Sequence, residues 1–154
     1  MKHLKIGDQA PDFSTTDQQG NAVALKDFSG QKLVIYFYPK DNTPGCTTQA
    51  CNIRDNYSAL TKAGISIVGV SADDETSHQK FITKFDLPFP LLADTDKKMI
   101  NDYGVWGEKK FMGRVYDGIH RTTFLLNEDH TIAGIIDKPK TKEHAEEIMA
   151  LYNQ

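Results

Sequence analysis

The unbroken run Leu33-Val34-Ile35-Tyr36-Phe37-Tyr38 is the feature that most constrains the fold of this chain. A short stretch of branched and aromatic residues is a strand, and one without polar alternation must be covered on both faces, as in the middle of an α/β sheet. Its carboxyl end delivers the turn Thr43-Pro44-Gly45-Cys46. Thr43 followed by Pro44 reads as an N-cap and first helical residue, because a cap hydroxyl accepts from a free amide and proline has no amide to orphan. Cys46 therefore falls in a first helical turn. There the unpaired N–H groups and the positive end of the helix dipole favour thiolate, the reactive form. In an open sheet flanked by helices, ligands bind beyond the carboxyl ends of the strands, and this is where the cysteine is expected.

After Cys46, the apolar residues Ala50, Ile53, Tyr57 and Leu60 recur at helical spacing, and Gly64 stands past them as a left-handed cap would. Ile65–Val70 is a second apolar strand, so the unit is strand, helix, strand, with the strands parallel. Upstream, Ala10–Phe13 and Asn21–Phe28 flank Asp17-Gln18-Gln19-Gly20 and predict a hairpin. Downstream, Ser71-Ala72-Asp73-Asp74-Glu75 precedes a helix carrying Phe81, Ile82 and Phe85; helix-end preferences favour these carboxylates as caps over metal ligands. Leu87–Leu92 is extended, and Asp94-Thr95-Asp96 introduces a helix with Met99, Ile100 and Tyr103. Gly104–His120 has four glycines and several aromatics but no sustained period, and is read as an irregular surface loop, equally suited to packing and to facing a substrate. Thr122–Asn127 and Thr131–Ile136 form a hairpin through Glu128-Asp129-His130, and Lys142–Tyr152 is an amphipathic helix. The order implies one α/β domain spanning residues 1–154, with a mixed central sheet flanked by helices and an N-terminal hairpin extension.

A chain of 154 residues buries enough core to need no disulfide or metal staple. Its net charge of −3 gives no basic footprint for nucleic acid, and no apolar run approaches the length of a membrane span or a signal sequence. A cytoplasmic protein without nucleic-acid or membrane partners is expected. In a reducing compartment two close cysteines are more often catalytic or redox-sensing than structural. His3, His78, His120, His130 and His144 are scattered, so neither a zinc pattern nor a histidine partner for Cys46 is nominated. No glycine-rich phosphate motif occurs either, and no metal is expected. What remains is redox chemistry. The spacing Cys46-x4-Cys51 differs from the Cys-x-x-Cys of disulfide reductases and favours a thiolate that becomes a sulfenic acid. A thiol–disulfide oxidoreductase is the nearest enzymatic rival, and a non-enzymatic binding module is the other.

Pro39-x-x-x-Thr43-x-x-Cys46 resembles the active-site signature of peroxiredoxins, and Thr43-Pro44-Gly45-Cys46-Thr47 with Ala50-Cys51 is similar to their bacterioferritin-comigratory, or Q-type, branch. The likeness continues through Gly104–Lys109 and Tyr116–Arg121, and so covers nearly the whole chain. It implies a thioredoxin-like fold and reduction of hydrogen peroxide and organic hydroperoxides without a cofactor, with electrons from thioredoxin or a similar dithiol donor. A monomer is implied as well. Carried over by position, Cys46 is the peroxidatic cysteine and Cys51 the resolving one. Thr43 is a hydrogen-bond partner of thiolate and peroxide, Arg121 orients both, Gly45 lies among the first-turn donors facing the substrate, and Pro39 shields the pocket from water. Gln49 stands where relatives often carry glutamate, a change that can alter the local field but is expected to touch none of the four reactive positions.

Helix geometry adds a constraint on the two cysteines. Five residues apart on a regular helix, their Cα atoms lie ~8.5 Å apart, whereas a disulfide tolerates no more than about 7 Å. A Cys46–Cys51 bond requires the helix to unwind locally.

Overall fold

The computed structural model describes residues 3–153. The chain begins with strands β1 (Ser14–Thr16) and β2 (Ala22–Ala24), an antiparallel hairpin, and a 3-10 turn, Leu25–Phe28. The hairpin turns where the sequence puts it, but β1 lies wholly after the expected Ala10–Phe13, and β2 is shorter than the expected Asn21–Phe28. Phe13 is buried in the core, and Asp17 Oδ1 accepts from the amides of Gln19 and Asn21, which closes the turn. Then follow β3 (Lys32–Phe37), helices α1 (Pro44–Asp55) and α2 (Tyr57–Lys62), β4 (Ile65–Ser71), α3 (Glu75–Phe85), β5 (Leu91–Ala93) and α4 (Lys98–Asp102). Strands β6 (Trp106–Phe111), β7 (Arg114–Ile119), β8 (Thr122–Leu126) and β9 (Ile132–Ile136) precede the last helix, α5 (His144–Tyr152).

The main sheet has the order β5-β4-β3-β8-β9, parallel on the β5/β4/β3 side and antiparallel on the β3/β8/β9 side. β3 lies at its centre. Alternation along β3 sends Leu33, Ile35 and Phe37 into one apolar cluster with Tyr103 and Phe124, and Val34, Tyr36 and Tyr38 into a second with Cys46, Ala50 and Ile53. All of these are buried, and complete burial of such a side chain contributes ~1.5–3 kcal/mol. The cysteine-bearing helix is thus fixed by its own apolar stripe to the middle of the sheet.

Two expectations are corrected. The apolar spacing from Ala50 to Leu60 suggests one continuous helix, but the backbone breaks at Asn56 (φ −110°, ψ 10°), whose Nδ2 donates to the Asn52 carbonyl at 2.8 Å. Gly64 does take the left-handed conformation beyond α2. Gly104–His120 is not an irregular loop. Trp106 pairs with Ile119 through to Phe111 with Arg114, and the two-residue tip Met112-Gly113 has both φ values positive, as a tight hairpin turn needs. Phe111, Met112, Val115 and Tyr116 are exposed. With no face of the hairpin buried along its length, its sequence carries no period of two for a reader to detect.

Candidate active site

The loop that leaves β3 is held by buried polar groups before it opens α1. Tyr38 donates to Asp41 Oδ1 at 2.5 Å, Ser77 donates to Asp41 Oδ2 at 2.7 Å, and the Asp41 amide donates to Asp73 Oδ2 at 2.8 Å. The imidazole of His78, fully buried on α3, completes the anchor. Its Nδ1 lies 2.7 Å from Asp41 Oδ2, and its Nε2 lies 2.9 Å from the carbonyl oxygen of Leu92. Both ring nitrogens face acceptors, which suits an imidazolium. Burial opposes that charge, but the bond to Asp41, its negative charge and the Leu92 carbonyl outweigh burial and hold the His78 pKa above its ordinary value. The acidic cluster after β4 behaves largely as caps and anchors: Asp74 accepts from Ser77 N at 2.8 Å, and Asp73 accepts from Ser71 Oγ at 2.7 Å. Asp41, Asp73 and His78 bring ligand atoms within 4.8 Å of one another, and those groups are engaged with each other and with Tyr38, Ser71 and Ser77.

Thr43 is the N-cap of α1 by backbone, with Pro44 at the first helical position, but its hydroxyl does not cap. It donates to the Lys40 carbonyl at 2.9 Å, three residues back along the turn. Among the described residues, Cys46 Sγ has one hydrogen-bond partner, Arg121 Nη2 at 3.3 Å. Cys46 is 1% exposed, a buried sulfur facing a guanidinium. The approach is close enough that a Cβ on Gly45 would stand 3.2 Å from the same Nη2, so glycine leaves room for the arginine. Pro39 lies half-buried just after β3, and Cys51, a free thiol like Cys46, is half-buried one and a half turns along α1.

Gln49 is the residue whose place the sequence reading missed. It is fully buried, and its Oε1 accepts from Arg121 Nη1 at 2.6 Å. Three residues after Cys46, it shares the same helix face, so the arginine spans both side chains. Its Nε2 and the hydroxyl of Tyr36 are buried without a partner among the described residues. Burial, with the Cys46 and Asp41 charges next in size, raises the Tyr36 pKa well above the ordinary value.

The β6–β7 hairpin braces the segment that carries Arg121. His120 N donates to the Val105 carbonyl at 2.7 Å, His120 Nε2 lies 2.9 Å from the Glu108 carbonyl oxygen, and Lys109 Nζ donates to the Ile119 carbonyl at 2.9 Å. Burial and then the Arg121 charge lower the Lys109 pKa, with Cys46 opposing, so the Lys109 ammonium joins the Arg121 guanidinium within electrostatic range of the sulfur. On the far side, His144 Nδ1 is 3.0 Å from Glu147 Oε1 and its Nε2 is 2.9 Å from Thr123 Oγ1, a buried link between α5 and β8. Burial lowers the His144 pKa despite Glu147.

A buried cysteine in the first turn of a helix, presented beyond the central strand of a mixed five-stranded sheet and bonded to an arginine from the neighbouring strand's start, defines a cysteine-based redox enzyme. The comparisons narrow that class. The AhpC/TSA family profile matches residues 6–135. Peroxiredoxin Bcp of Escherichia coli is 48% identical over 149 residues, 97% of this chain and 96% of that protein. Among solved structures, Peroxiredoxin Q of Xylella fastidiosa superposes with a TM-score of 0.92 at 31% identity, covering 99% of this chain and 98% of that one. The bacterioferritin comigratory protein of Xanthomonas campestris, described with alkyl peroxide reduction activity, gives 0.89 at 33% identity over 99% and 98%. The chain belongs to the AhpC/TSA family, in its Bcp or Q-type peroxiredoxin branch, and has the thioredoxin-like fold of that group. It is a thiol-dependent peroxidase.

Proposed function

We propose that Cys46 attacks the O–O bond of hydrogen peroxide or an organic hydroperoxide, that Cys51 resolves the product as an intramolecular disulfide, and that thioredoxin or a similar dithiol protein restores both thiols. In the first step the S–O bond forms as the O–O bond breaks, leaving a sulfenic acid on Cys46 and releasing water or an alcohol. Negative charge grows on the departing oxygen. Fixed donors therefore stabilise the transition state more than the ground state, and this is the role assigned to Arg121 and the first-turn amides at Gly45. Thr43 donates to the Lys40 carbonyl and not to the sulfur, so its hydroxyl oxygen serves the bound peroxide as an acceptor, and Pro39 limits water at the pocket. The observation that carries the reading is the 3.3 Å bond from Arg121 Nη2 to Cys46 Sγ at the start of α1. The alkyl peroxide reduction described for the Xanthomonas relative supports organic hydroperoxides as substrates. The enzyme acts as a single-domain monomer in the cytoplasm without a cofactor. Among the described residues no helix is long and apolar enough to cross a membrane.

Peroxide consumption with a thioredoxin reducing system, comparing wild type with Cys46→Ser, tests this. The variant should lose turnover entirely, because a serine hydroxyl cannot form a sulfenic acid. Undiminished activity in that variant overturns the assignment, and fast disulfide exchange with slow peroxide consumption in the wild type would mark a thiol–disulfide oxidoreductase instead.

A further inference from the structure

Asn52 follows Cys51 on α1 and reaches across to α5. Its Nδ2 donates to the Lys142 carbonyl at 2.9 Å, and its Oδ1 accepts from the Ala145 amide at 2.7 Å. Ala145 lies in the first turn of α5, where Glu143, the N-cap, makes no side-chain cap bond. Asn52 therefore caps α5 from another helix, satisfying an amide that a helix start leaves open. Its own carbonyl accepts from Asn56 Nδ2, where α1 ends. The residue after Cys51 is thus tied to two helix ends at once. Cys51 itself lines a shallow open face with Thr47, Thr48, Asp55 and Lys142, turned about 140° around the helix axis from Cys46 by the helical pitch.

We propose that Asn52 is the positioning residue that holds Cys51 away from oxidised Cys46, so that release of its two bonds to α5 sets how often the sulfenic acid is resolved and how often it is oxidised further. The proposal rests on the reading of Cys51 as the resolving cysteine. In the resolving step the Cys51 thiolate attacks the Cys46 sulfur; the S–S bond forms as the S–O bond breaks, and the hydroxide leaves as water with a proton. In the competing step a second hydroperoxide oxidises the sulfenic acid to sulfinic acid and is itself reduced to water or alcohol. The two fates compete for the same intermediate.

Closing the disulfide brings two Cα atoms from ~8.5 Å to under about 7 Å. Cys46 is held at the sheet by its burial and by Arg121, so the movement falls on Cys51. Ala50 and Ile53 beside it are buried, but apolar contacts are non-directional and can re-form as the helix unwinds locally. The Asn52 bonds are directional and do not survive that unwinding.

The test follows the fate of Cys46 in wild type, Asn52→Ala and Asn52→Asp by rapid mixing with hydrogen peroxide, quenching with a thiol-alkylating reagent, and mass spectrometry. Asn52→Ala should leave the first oxidation of Cys46 unchanged, speed disulfide formation roughly tenfold, as expected for losing one to two net hydrogen bonds, and raise the peroxide concentration needed for sulfinic acid by the same factor. Asn52→Asp keeps the acceptor for Ala145 and loses the donor to Lys142, so it should fall between the two, and it carries the test if the alanine variant does not fold. A merely structural role would lower the melting temperature and leave the ratio of disulfide to sulfinic acid unchanged. That ratio unmoved in the folded variants, with a Cys46–Cys51 disulfide present in the wild type, overturns the role of Asn52 and leaves the resolving role of Cys51 standing. A wild type that forms no such disulfide overturns both.

Discussion

Gly45→Ala asks whether Arg121 has to lie against the Cys46 sulfur. An alanine Cβ would meet Arg121 Nη2 at 3.2 Å, a few tenths of an ångström closer than ordinary contact allows, and Cζ at an ordinary 3.9 Å. The guanidinium has little room to retreat, because Nη1 is bonded to Gln49 at 2.6 Å while Nη2 is 3.3 Å from Cys46 Sγ. Its retreat lengthens the bond to sulfur. A charge-assisted hydrogen bond is worth about 1.5–3 kcal/mol, so losing roughly half of it costs about 1 kcal/mol, or about fivefold in rate. Helix stability should move the other way. Gly45 sits inside α1 without a left-handed φ, and alanine is the better helix former by up to ~1 kcal/mol. The expected signature is therefore a slower enzyme in a fold as stable as wild type or more so. Stopped-flow measurement of the second-order rate with hydrogen peroxide, beside a thermal melt, reads both quantities. An unchanged rate in a folded variant would refute the claim that this contact helps the chemistry, and a lower melting temperature would show that the new methyl meets more than Arg121.

Three further predictions follow from the same site. Hydrogen exchange should be slow from Thr48 to Arg54 in the reduced protein and faster there in the disulfide form, with the change confined to this segment and its contacts; identical exchange in both redox states would rule out local unwinding. Gln49→Glu places a carboxylate on Arg121 and draws its charge away from sulfur, so both peroxide reduction and alkylation of Cys46 should slow about three- to tenfold, and equal rates would show that the neutral amide is incidental. His78 has a raised folded pKa, so its contribution to stability is complete below the ordinary histidine value of ~6.5 and is lost as pH rises through the folded value. Melting temperatures across that range should fall for wild type relative to His78→Gln, whose amide can still donate to Asp41, and parallel curves would contradict the assignment.

Local chemistry in the sequence determined much of this protein. The unbroken apolar run of Leu33–Tyr38 could only be a covered strand, Thr43-Pro44 could only open a helix there, and together they put Cys46 in a first turn beyond the carboxyl end of a covered strand. Those are interactions between near neighbours, which a period or a cap residue reports. The peroxidase family was legible too, through motif residues spaced along nearly the whole chain. What acts on the sulfur was not determined locally. Arg121 lies 75 residues from Cys46 and arrives only because β8 pairs with β3, with Phe37 opposite Thr122, so that the residue just before β8 faces the start of α1. The bond from Arg121 to Gln49 likewise exists only once that arginine is in place beside α1. The β6–β7 hairpin escaped notice because both its faces meet water, and the Asn52 clamp because its partners lie 90 and 93 residues away. Periodicity records which side of an element is dry; which distant groups share that dry side is decided by strand order and register, and these exist only once the chain has folded.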